Sequence, residues 1–179
     1  YRKIRNTLRF LVSNLYDFNA EQDVVDFEEL HVIDQYALFG LQDLSYKVRE
    51  HYDACKFTNV THMLADYCAT DLSAIYLDII KDRLYVGAKN GSSRRAAQTV
   101  CFYILSTLNK LTAPILSFTS EQVSDYYQLD KQNSIHLQTF ADIASVWQEL
   151  ALRTDLSDNA KLSDWQDAWK NLFGIRDAL

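Results

Sequence analysis

DLSAIYLDIIKDRLY, residues 71–85, carries two apolar stripes at helical spacing, Leu72-Ile75-Tyr76-Ile79 and Leu77-Ile80-Leu84. A helix that is apolar on two sides has to be packed between neighbours, because either stripe left in water forfeits the gain of burying it. Asp71, Asp78 and Asp82 share the narrow polar strip that remains. Joined to the other long helices read along the chain, four to five with short loops, it gives an all-α up-and-down bundle.

The flanking sequence supplies those helices. Ile4, Leu8, Leu11 and Leu15 make one stripe, with Arg2, Arg5, Asn6, Arg9 and Ser13 opposite, and this first helix is expected to end near Asp17. Asp26 and Glu29 form a capping-box pattern ahead of Leu30, Ile33, Ala37, Leu41, Leu44 and Val48. Gly40 inside that pattern costs about 1 kcal/mol against alanine and is expected to permit close helix packing. Thr58 can cap a third helix through Met63, Leu64 and Tyr67 into residues 71–85. KNGSS, residues 89–93, reads as a turn in which Gly91 can take positive φ, and Ser93 can cap a fourth helix through Ala97, Val100, Cys101, Ile104, Leu108 and Leu111. Pro114 stops that helix, and Thr119 with Gln122 opens a short fifth that ends near Tyr127.

Beyond this point the texture changes. Residues 128–142 are polar, with an extended-looking alternation at 134–140, and Leu162, Trp165, Trp169 and Leu172 return to helical spacing. The four glycines and one proline in 179 residues leave long uninterrupted elements. The expectation is an antiparallel helix bundle over 1–128 and a less regular linker and junction over 129–179. Its core should include Ile4, Leu8, Leu11, Ile33, Leu44, Leu64, Ile75, Ile79, Val100, Ile104 and Leu108. A start at Tyr1 and no C-cap before Leu179 suggest a piece of a longer chain.

Charge is distributed unevenly. The net charge is −6, which by itself argues against a phosphate-rich partner. Residues 1–16 nevertheless hold Arg2, Lys3, Arg5 and Arg9 with no acid, a net of +4. Residues 81–95 hold Lys81, Arg83, Lys89, Arg94 and Arg95 against Asp82, again +4, and the rest of the chain sums to −14. Two basic segments on an acidic body can make a confined footprint for nucleic acid.

Several chemistries find no support. Cys55, Cys68 and Cys101 are too widely spaced for a zinc ribbon or a disulfide framework, and His62 between two of them fits no finger spacing. They read as small thiols of a reducing compartment. Asp78 and Asp82, four apart, lack the Glu-x-x-His partners of a dimetal bundle and are expected to meet arginines of the first helix. His31, His51, His62 and His136 are scattered, and no phosphate-binding glycine loop or nucleophile elbow is present. Among the eleven tyrosines, Tyr1 and Tyr85 are the candidates for stacking on bases.

Three stretches carry a family resemblance. YRKIRNTLRF at 1–10, DLSAIYLDIIKDRLY at 71–85 and RRAAQTVCFYILSTLNKLTAPILSFTSEQV at 94–123 resemble, in order, the anticodon-binding bundle of isoleucyl-tRNA synthetases. SIHL at 134–137 is similar to the short extended segment after that bundle, and the Trp-containing helix resembles the start of the family's C-terminal junction, while 141–161 matches poorly. The resemblance implies an all-α antiparallel bundle of the class Ia synthetase anticodon-binding type. It implies a parent ligase that activates isoleucine with ATP and Mg and esterifies it to tRNA(Ile), as a cytoplasmic monomer with neither DNA nor membrane as partner. The His-Ile-Gly-His-type and Lys-Met-Ser-Lys-Ser signatures are absent, so no catalytic residue, metal site or cofactor is expected within this chain. The family's tRNA-contacting positions fall on Arg2, Arg5, Asn6 and Arg9 and around Lys81 and Arg83, expected together in one groove for the anticodon stem-loop. The bundle of a valyl or leucyl enzyme, and a protein-docking bundle with solvated basic stripes, are the competing readings.

Overall fold

A computed structural model describes residues 1–128, 131 and 133–140, all of them helical, turn or irregular, with no strand among them. The helices are α1 (Arg2–Asn14), α2 (Val32–Asp53), α3 (Phe57–Asp66), α4 (Leu77–Ile79), α5 (Lys81–Tyr85), α6 (Ser92–Thr112) and α7 (Ser117–Tyr127). A π-helical segment, Tyr67–Tyr76, joins α3 to α4 without a break. Residues 162–172, where helical spacing returns in the sequence, lie outside the described residues.

α6 is the axis of the bundle. It packs against α1, α2, α5 and α7, and Val100, Cys101, Ile104, Leu105, Leu108 and Leu111 are wholly buried. α1 contributes Ile4, Leu8 and Leu11, α2 contributes Leu38, Leu41 and Val48, and α3 contributes Val60 and Leu64. Burying each such side chain stabilises the fold by about 1.5–3 kcal/mol before entropy is counted.

The long third helix departs from its expected geometry. Its apolar stripes assume 3.6 residues per turn, and a π-helix turns more slowly. The core is therefore met by Leu72, Tyr76, Leu77, Ile80 and Leu84, while Ile79 is 51% exposed and Ile75 only half-buried. Ile33 is likewise half-buried at the core's margin.

Helix starts differ as well. α2 begins after His31, not Asp26, and it is Asp34 whose carboxylate reaches back to accept from the His31 backbone N–H at 3.2 Å. Asp26 instead precedes a single 3₁₀ turn, Phe27–Glu29. Lys56, Gly91 and Leu116 occupy the cap positions expected of Thr58, Ser93 and Thr119. The end of α2 is a Schellman motif: Lys56 N–H donates to His51 O and Cys55 N–H to Tyr52 O, with Cys55 at φ 55°.

Two glycine readings change. Gly91 has φ −68°, and the position that requires glycine is Gly87, where a Cβ would lie 2.5 Å from Arg83 O. Gly40 lies in open space, with nothing within 4 Å of a would-be Cβ, so no close packing depends on it. The 134–140 stretch is a 3₁₀ turn, Ile135–Leu137, not an extended strand. Glu121 holds it against α7 by accepting from Ser134 Oγ at 2.8 Å and Ile135 N at 3.0 Å.

Candidate nucleic-acid interface

α1 turns its polar face outward. Arg2, Lys3, Arg5, Asn6 and Arg9 are exposed, while Ile4, Thr7, Leu8 and Leu11 between them are buried. No ion pair among the described residues involves any of the four cations. The first turn carries no acid, so the positive end of the helix dipole adds to their field.

The second basic segment behaves differently. Arg83 turns inward, its Nη1 donating to Asp34 Oδ1 at 2.9 Å and its Nη2 to Asp34 Oδ2 at 2.7 Å. Its Nε donates to Ser93 Oγ at 3.1 Å and its Nη2 also to Ser93 O at 2.8 Å. Asp34 is fully buried and also accepts from Tyr76 Oη at 2.8 Å. Burial pushes the Tyr76 phenol well above its usual range, which keeps it a donor. The Arg83 guanidinium is thus engaged by α2 and the start of α6, unlike the exposed cations of α1.

Arg94 and Arg95 are spent in the same way. Arg94 is buried and forks onto Asp17, Nη1 to Oδ2 at 2.8 Å and Nη2 to Oδ1 at 2.9 Å, and it also donates to Leu84 O and Lys89 O. Arg95 Nη1 donates to Asp17 O at 2.9 Å and lies 3.5 Å from Asp23 Oδ2. Gln98, fully buried, donates to Asn14 O and Asp17 Oδ1. The hydrogen bond from Arg94 holds the Asp17 carboxyl down at about 2 against the opposing effect of burial. This network clamps the end of α1 to the start of α6. Of the segment's five cations, Lys81 and Lys89 remain exposed.

The expected single groove is two. One lies between α1 and the π-helical segment with α4 and α5 and is lined by Lys3, Asn6, Thr7, Phe10, Ser73 and Lys81 among others. The other lies between α1 and α7, where Arg5 and Arg9 face Thr119, Gln122 and Tyr126. Lys81 pairs with Asp78 at 2.7 Å, so Asp78 meets its own helical neighbour and not an α1 arginine. Sequence reasoning named neither Asp34 nor Asp17 as a site residue, and nothing local marks them. It also passed over Ser73 and named Lys3 only in the charge count. The i, i+3 and i, i+4 spacing of Lys3, Asn6 and Thr7 could have found the inner face of this groove.

Other candidates carry no chemistry. Cys68 and Cys101 are buried, which pushes their thiols up to about 11 and about 12 and makes them inert. Among the described residues no group of three His, Cys, Asp or Glu side chains can hold a metal, and no helix is long and apolar enough to cross a membrane. Tyr1 and Tyr85 are exposed at 66% and 64%, as stacking requires.

The described residues thus form a helical bundle with an outward basic helix flanked by two grooves. Residues 34–170 match the family model described as the anticodon-binding domain of tRNA ligase, and the chain belongs to that family. It is 47% identical over 143 residues to the isoleucine–tRNA ligase of Fervidobacterium nodosum, covering 80% of this chain and 16% of that protein. To the isoleucine–tRNA ligase of Natranaerobius thermophilus it is 43% identical over 176 residues, 98% of this chain and 18% of the relative. The Thermotoga maritima isoleucine–tRNA ligase is 49% identical over 133 residues, 74% of this chain and 14% of the relative. The chain thus spans less than a fifth of the length of these relatives.

Proposed function

We propose that this chain is the anticodon-binding module of an isoleucine–tRNA ligase, a cytoplasmic monomer that uses ATP with Mg to attach isoleucine to tRNA(Ile). The observation that carries the proposal is the set of four exposed cations on α1, none of them in an ion pair among the described residues, in a domain whose arginines at 83, 94 and 95 are internally paired. Relatives named isoleucine–tRNA ligase that cover most of the chain support the choice of amino acid over valine or leucine.

In this reading Arg2, Arg5, Asn6, Arg9 and Lys81 meet the anticodon stem-loop. Arginine donates in a planar fork to phosphates or base edges and stacks on unpaired bases, and asparagine offers a donor and an acceptor to one base edge. Arg83 acts one step away, by fixing the short helix that presents Lys81. Adenylate formation belongs to another part of the parent enzyme.

The test is binding of the parent ligase to tRNA(Ile) and tRNA(Val) across a salt series. A steep salt slope with preference for tRNA(Ile), lost when the α1 arginines become alanine, is the expected result, because released counterions set the slope. Equal affinity for both tRNAs would remove the isoleucine assignment. A flat slope unaffected by the arginines would favour a protein-docking bundle.

A further inference from the structure

We infer that the cavity between α2, α3 and the π-helical segment is a binding site for a small organic cation, a primary ammonium group carried on an apolar stem. The site is separate from the tRNA surface proposed above. The π-helical segment turns Tyr67, Asp71 and Tyr76 to this cavity, and Cys68, Ala69 and Ser73 to the groove with α1.

The cavity measures about 480 Å³, within the range of small-molecule sites. Gly40 of α2 lines it, and a Cβ there would meet nothing within 4 Å. A glycine inside a helix weakens it, so this space is kept open at a cost to α2. Tyr67 stands in the wall, 7% exposed, and its hydroxyl is buried with no hydrogen-bond partner among the described residues. Buried polar groups in native proteins are nearly always paired, so this hydroxyl calls for a partner that the bundle does not supply. Burial, with the charge of Asp71 adding to it, pushes the phenol well above its usual range and keeps it neutral.

The lining selects the charge of the ligand. Asp66 and Asp71 line the cavity, are exposed, and form no ion pair among the described residues. Lys47 also lines it, but its ammonium is paired with Asp43 at 2.5 Å, so the two carboxylates set the sign of the local field. The charge of Asp71 acts on the Tyr36 phenol as well as on that of Tyr67, which groups these polar side chains together. An anion would face both carboxylates, and a purely apolar ligand would leave the Tyr67 hydroxyl unpaired. An ammonium group has three hydrogens to give, enough for Asp71, Asp66 and the Tyr67 oxygen. Met63 and Leu72 offer apolar surface to its stem, and the rings of Tyr36 and Phe39 offer π faces that attract a cation.

The experiment titrates the full ligase with phenethylamine and with its uncharged analogue phenethyl alcohol, following saturation transfer to the probe by NMR. The amine should bind saturably and about tenfold more tightly than the alcohol, because only the ammonium gains charge-assisted bonds to the carboxylates. Asp71→Asn, which keeps the size of the side chain, should erase that preference. Gly40→Leu should abolish binding by filling the cavity, without lowering the melting temperature, since leucine suits a helix and meets no neighbour there. Both variants should bind tRNA(Ile) as wild type does, because the α1 contacts lie across the π-helical segment. Equal affinity for amine and alcohol overturns the inference, and so does undiminished amine binding by the Gly40→Leu enzyme. Absence of saturable binding overturns it too, and is the result if another part of the ligase fills the cavity. Loss of tRNA binding together with amine binding in both variants marks a change of fold and removes the assignment to this cavity.

Discussion

Residues 1–16 and 81–95 each carry a net charge of +4, yet Arg2, Arg5 and Arg9 stand in solvent while Arg83, Arg94 and Arg95 are bonded to carboxylates inside the bundle. The difference lies in what each segment faces. α1 presents its cations at the bundle's edge with no ion-pair partner among the described residues, whereas α5 and the start of α6 deliver their arginines against Asp34, 49 residues away from Arg83, and Asp17, 77 residues away from Arg94. A buried ion pair is worth having only when its remaining donors are satisfied, and Arg83 and Arg94 meet this with backbone carbonyls and Ser93. One basic segment is therefore a surface and the other a set of struts that holds that surface in place.

The sharpest way to break this contrast is to remove a strut. Asp34→Ala leaves the Arg83 guanidinium and the Tyr76 hydroxyl unpaired and should lower unfolding free energy by about 3–5 kcal/mol in a denaturant titration. A loss below about 1 kcal/mol would show that the pair is not structural. Arg5→Ala and Arg9→Ala should do the reverse, changing stability by no more than about 0.5 kcal/mol. Each should weaken tRNA binding in the full enzyme by about 1–3 kcal/mol if it reads a base, or lower the salt slope by about one if it holds a phosphate. Normal affinity and slope in both variants would withdraw the α1 assignment.

Acid provides a third test. Asp17 titrates at about 2 in the fold and near 3.8 when free of it, so its contribution is present above the higher value and is lost as pH falls towards the lower. The expected loss between those values is on the order of 1–2 kcal/mol once solvent screening is allowed for. Asp17→Asn should flatten stability over that range, and an unchanged acid limb would sink the assignment. The smallest effect belongs to Lys81, exposed and paired only with Asp78. Lys81→Ala should leave the melting temperature unchanged and lower the salt slope of tRNA binding by about one.

The bundle was legible because helical periodicity records burial directly: Ile4, Leu8, Leu11, Leu64, Val100, Ile104 and Leu108 all lie in the core. The outward face of α1 was legible for the same reason, since a narrow apolar stripe leaves its opposite side to water. Ile79 was misplaced because the count assumed α geometry, and no residue in Tyr67–Tyr76 announces the wider turn. The pairing of Arg83 was not legible because its partner Asp34 lies on another helix. Local sequence shows that a cation exists, while only tertiary structure shows whether a carboxylate has claimed it.

The π-helical segment has a consequence for how the chain tolerates change in length. Every residue of a helix sets the azimuth of all later ones, by about 100° in α geometry. Tyr67–Tyr76 fits more chain into each turn, and Leu72, Tyr76, Ile80 and Leu84 reach the core in that phase alone. A deletion there that left the remaining residues in π geometry would swing Lys81 off its groove and Arg83 off Asp34, and only one matched by a return of the segment to α geometry would keep both in phase. Homologous chains should therefore admit gaps in the turn between α5 and α6 before they admit one in this outwardly regular stretch.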